Sequence, residues 1–195
     1  MKFSKNVIKE AERLYKDSEF EYIVEAVKSG NAGALRFIQE SNGFPYKFIE
    51  NMVKKHGENA ITEIKAHLNH QLDINEVYRD NYDELEIART QNGGYISYSP
   101  AFVEKVKKVF PNNKYIIELA ETNSMGLRRM IDEERSYMNV EGMLKIIQEK
   151  GDKGAMKEFQ SRAARAKDIN NLYKMCYDEY NDFVNSQSEP SGMGE

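Results

Sequence analysis

The chain has 195 residues, of which 31% are charged, with a formal net charge of −4, one cysteine and no tryptophan. That length suffices for one ordinary domain or two small ones without metal or disulfide staples, and a single cysteine excludes an intrachain disulfide. The charge balance is not that of a strongly basic nucleic-acid binder, and no apolar run exceeds three residues, against the ~20 that a membrane span needs. Residues 1–10 alternate charged and apolar side chains and lack the apolar stretch of a signal peptide, so a cytoplasmic protein without membrane association is expected. The Lys-, Asn- and Tyr-rich composition fits an AT-rich coding origin such as a phage or mobile element.

Apolar residues recur at helical spacing from end to end. Ser4 is placed to cap a first helix through Val7, Ile8, Ala11, Leu14 and Tyr15. Ser18 and Glu21 have capping-box spacing and open a second, which Gly30 closes in the left-handed conformation. A short helix over 32–41 follows. After Gly43, Pro45 suits the first turn of a helix carrying Phe48, Ile49, Met52 and Val53. Ala60 to Leu72 forms the next helix, and Asp73 with Glu76 is read as the start of another through Ala88.

Asn92-Gly93-Gly94 is the strongest break, and Tyr95 to Tyr98 has strand-like composition but no partner strand, so it is read as an extended connector. Ser99-Pro100 then opens a helix that stops before Pro111. Further helices are expected over 114–121, 125–136 and 140–150. The expected fold class is all-α: an irregular multi-helix bundle of about ten helices, a long C-terminal helix, and at most one short extended segment near 95–98. The expected organisation is an N-terminal helical subdomain over 1–91, a connector over 92–99, a C-terminal helical subdomain over 100–186 and a disordered tail over 187–195.

The long helix is expected over 152–184, about 50 Å at 1.5 Å per residue. Phe159, Ala163, Ala166, Asn170, Tyr173, Tyr177, Tyr180 and Val184 alternate three- and four-residue steps, the 3.5-residue period of a supercoiling seam. The alternative is a break at Asp168, acting as an N-cap. The seam is read either as an edge of the chain's own core or as a surface for self-association or partner binding. Residues 153–174 carry six basic against two acidic side chains, a net +4, and residues 175–195 carry −5.

Several motifs point to particular chemistries. Gly30-Asn31-Ala32-Gly33-Ala34-Leu35-Arg36 ending at Gln39 parallels Gly151-Asp152-Lys153-Gly154-Ala155-Met156-Lys157 ending at Gln160. Each suggests a helix, a glycine turn and a second helix; a phosphate-cradling loop of the KH kind lacks its sheet. Residues 34–55 have a weak helix-turn-helix pattern in which Lys47, Lys54 and Lys55 would meet phosphates. Glu63, His67, His70 and Asp73 share a helix face at spacings that could ligate a metal, but a solvated face is the simpler reading. Glu76, Asp80, Asp83, Glu84, Glu118 and Glu121 are carboxylates of the type that holds Mg²⁺ in all-α hydrolases, without a matching motif. Cys176 has no histidine near it in sequence and is expected to be a buried structural thiol.

No catalytic, cofactor or metal-binding residue is therefore assigned. The expectation is a non-enzymatic interaction or regulatory protein that binds a protein or nucleoprotein partner through helical surfaces, or dimerises through the C-terminal helix. The candidate binding residues are Lys153, Lys157, Arg162, Arg165, Lys167, Tyr173, Tyr177 and Tyr180. The alternatives are nucleic-acid binding through that basic stretch or through Lys47, Lys54 and Lys55, and a metal-dependent all-α hydrolase.

Overall fold

The computed structural model describes residues 1–188, and over these it is helical without a strand. The helices are α1 (Lys5–Tyr15), α2 (Tyr22–Lys28), α3 (Ala34–Glu40), α4 (Tyr46–His56), α5 (Ala60–Gln91), α6 (Pro100–Val109), α7 (Lys114–Glu121), α8 (Leu127–Glu133) and α9 (Val140–Ser188). A 3₁₀ turn, Gly57–Asn59, precedes α5. The expected count of about ten is slightly off. Asp73 does not begin a new helix: α5 runs through it unbroken, because Leu68, Gln71, Ile74 and Val77 carry one buried stripe across the position.

Local signals set most helix ends. Ser4 and Ser99 are extended residues whose hydroxyls accept the N–H of Val7 and Phe102, satisfying donors that a helix start leaves orphaned. Asn113 caps α7 in the same way through Ile116. Ser18 does not cap α2; its hydroxyl donates to the Tyr15 carbonyl and accepts the Phe20 N–H, tightening the turn after α1. Residues 95–99 belong to no helix or strand, and Tyr98 among them is buried, its hydroxyl donating to the Ser124 carbonyl at 3.0 Å.

Gly30 and Gly151, the first glycines of the paired motif, both adopt φ 66°, which an L side chain rarely tolerates. Their surroundings differ. Gly30 lies in a connection from Ser29 to Gly33 between α2 and α3, whereas Gly151 is a single non-helical residue, with ψ 172°, that breaks α9 in two. From Asp152 the helix continues to Ser188 without a further break, and Asp168 lies in its interior, paired with Arg13 at 2.8 Å. The alternative break at Asp168 is therefore absent. Of the tail expected over 187–195, residues 187 and 188 continue the helix, and the remainder lies outside the described residues.

The described residues divide into two compact units, one of residues 1–54 with 156–188, the other of residues 55–155. The divisions fall within α4 and α9, not at 92–99. In the first unit Val7, Ala11, Leu14 and Tyr15 of α1, Ile23 and Val27 of α2 and Ile38 of α3 share a core with Ile169, Leu172 and Cys176 of α9. In the second, Ile74 and Val77 of α5 pack with Phe102 and Val106 of α6, Ile116 of α7 and Leu127 and Ile131 of α8. The 92–99 connector joins helices of one core, so its glycines mark a turn and not a boundary.

Candidate functional site

The C-terminal part of α9 holds most of the residues singled out by sequence. Its buried face begins as the 3.5-residue spacing predicts, with Phe159, Ala163 and Ala166. It then continues through Ile169, Leu172 and Cys176, each one residue ahead of Asn170, Tyr173 and Tyr177. A single residue is about 100° around the helix, so the tyrosines are displaced from the core to its edge and beyond. Composition explains the choice: Ile, Leu and Cys bury no group that needs a partner, whereas each tyrosine would bring a hydroxyl. Tyr173 is half-buried and stacks on Tyr177, with ring centroids 6.2 Å apart.

Beyond Cys176 the helix leaves its core. Residues 182–187 are exposed on every side, and Tyr177, Tyr180, Phe183 and Val184 are 47%, 37%, 40% and 40% exposed. Tyr177, Tyr180 and Val184 follow one another at three and four residues, so they form one partly exposed apolar stripe, beside which Glu179 accepts the Ser4 N–H at 2.8 Å. Asp178 and Asp182 are exposed beside it.

The basic residues are distributed differently. Arg162 donates through Nε to Glu158 at 2.7 Å, Lys167 meets Glu50 at 2.9 Å, and Arg165 donates to the Leu14 carbonyl at 2.8 Å, satisfying one of the carbonyls that the end of α1 leaves open. Lys153 and Lys157 are exposed on α9, and Lys47, Lys54 and Lys55 on α4. Sequence reasoning missed that Arg162 and Arg165 open on a cleft of about 300 Å³ with Ser41, Asn42, Gly43, Phe44, Ala166 and Ile169. No sequence signal links 41–44 to 162–169, which meet only in the folded chain. The Asn42 amide fastens them by donating to the Ala166 carbonyl at 3.0 Å, and the Phe44 ring lies 6.3 Å from that of Phe159.

Elsewhere four of the six acidic candidates are held by lysines or by Ser99. Lys105 bridges Glu76 and Asp80, Lys107 pairs with Glu121, and Glu84 accepts from the Ser99 hydroxyl and N–H. Asp80 and Glu76 in turn raise the Lys105 pKa. Of the proposed metal face, Glu63, His70 and Asp73 are exposed. His67 is half-buried, and burial, with His70 beside it, lowers its pKa. Among the described residues no three His, Cys, Asp or Glu side chains converge as a metal ion would require.

Cys176 is fully buried, and burial, with Glu179 nearby, pushes its thiol up to about 12. The native chain should not react with a thiol reagent at pH 8, while the chain in denaturant should titrate one thiol; rapid native labelling would contradict this burial. Burial also raises Tyr15 and Tyr98. All three groups ionise more readily in the unfolded chain, so their contribution is complete below about pH 9 and is lost as pH rises toward 12. Compared with family models, curated proteins and solved structures, the chain matches none.

Proposed function

We propose that the chain is a non-enzymatic interaction protein that docks a helical partner on the C-terminal end of α9. The observation that carries this reading is the run of exposed Tyr177, Tyr180, Phe183 and Val184 on a helix that continues beyond its own core. Tyrosine and phenylalanine supply large contact areas with few rotors to immobilise, which is why aromatic residues concentrate at interface hot spots. Of the cations that a nucleic-acid reading would use, Lys167 is paired with Glu50.

The test uses the full chain and the double variant Tyr180→Glu, Val184→Glu. Neither side chain belongs to the buried core, so thermal stability should change little, while retention of the partner from native cell extract, or of a second copy in sedimentation, should fall at least about tenfold. Apolar docking should also survive 0.5 M salt, whereas phosphate-mediated binding weakens steeply with it. Retention that is absent, or unchanged in the variant, would sink the reading.

A further inference from the structure

We propose that the cleft between the Ser41–Phe44 turn and α9 is a binding site for a small phosphate monoester carrying an apolar group. It is separate from the exposed end of α9 and does not depend on that surface having a partner. Three features of the cleft converge on this ligand.

The first is charge. The only charged side chains lining the cleft among the described residues are Arg162 and Arg165. They stand three residues apart, so they project from neighbouring positions of one helix face. Arg162 donates through Nε to Glu158, and Arg165 through a terminal nitrogen to the Leu14 carbonyl. A guanidinium has five N–H donors in a rigid fork, so both arginines are anchored and retain donors for a tetrahedral oxyanion. Arg165 has no carboxylate partner among the described residues.

The second is shape and lining. About 300 Å³ is at the lower end of small-ligand pockets and suits one phosphate with a ring-sized substituent. Phe44, backed by Phe159, forms an aromatic wall, and Ala166 and Ile169 add aliphatic surface. The third is access. Gly43 is exposed and a Cβ there would meet nothing within 4 Å, so the rim is open. The Ser41 hydroxyl already donates to the Ile38 carbonyl and meets the Tyr15 hydroxyl, so it has no proton left for a ligand and the arginines supply the charged donors. A dianionic monoester gains from both guanidiniums, whereas a diester offers only one charge to the pair.

The experiment titrates the full chain with phenyl phosphate, inorganic phosphate and diethyl phosphate, reading binding by calorimetry and by amide shifts at 41–44 and 162–169. Phenyl phosphate should saturate and bind tightest, with diethyl phosphate about tenfold weaker or more. Arg162→Gln removes only a surface ion pair and should weaken phenyl phosphate by about tenfold without unfolding the chain. Glu158→Gln removes the acid that competes for Arg162 and should tighten binding about two- to threefold. A purely structural role for Arg162 would leave affinity unmoved in both variants. Absence of saturable binding, equal affinity for the diester, or no response to either substitution would overturn the assignment.

Discussion

Phe159→Ala lowers the unfolding free energy by about 4 kcal/mol, the cost expected for truncating a fully buried phenyl ring and leaving part of its volume empty. For a chain of this size that is a loss of about 10 °C in Tm, measurable by calorimetry or circular dichroism. The consequence extends to the cleft. Phe44 rests against Phe159, so removing the backing ring loosens the aromatic wall beside Arg162 and Arg165. Phenyl phosphate should therefore lose more affinity than inorganic phosphate in this variant. A change under about 1 kcal/mol would mean that α9 is not packed through Phe159 as described.

Gly30→Ala destabilises by about 3 kcal/mol, through two separable costs. At φ 66° an alanine pays the left-handed penalty, and its Cβ would fall 1.8 Å from the Met1 carbonyl oxygen, so the N-terminal backbone must shift. Phe3 is buried and Ser4 caps α1, so that shift disturbs the start of the first core. Gly93→Ala is the control: it has φ 61° and nothing within 4 Å of the new Cβ, and should cost only about 1 kcal/mol. Equal losses in chemical denaturation would show that the close approach of Met1 contributes nothing.

The two glycines of the paired motif show how far local pattern reaches. Both take up the conformation that glycine permits, which the sequence could suggest because φ is a property of one residue and its neighbours. Whether such a residue begins a multi-residue connection, as at Gly30, or interrupts a helix at one position, as at Gly151, depends on where the following helix can bury its face. Asp73 and Asp168 illustrate the same limit. Each has the chemistry of a helix cap, yet each sits inside a helix, because the apolar stripe on either side of it is continuous and buried. A cap contributes about 1 kcal/mol, less than the burial of one or two large side chains on that stripe.

What the amino-acid order determined by itself is the all-helical class, the caps at Ser4 and Ser99, the helix over 114–121, the break in helix after Asn92 and the burial of Cys176. These follow from spacing, capping and composition within a few residues. Only the tertiary structure decided that α1, α2 and α3 share one core with the C-terminal part of α9, that the buried stripe of α9 passes through Ile169, Leu172 and Cys176 rather than the tyrosines, and that Arg162 and Arg165 line one cleft with the turn at 41–44. Those outcomes depend on contacts between segments more than a hundred residues apart. They are settled by which faces can be dried together, and no short-range pattern encodes that choice.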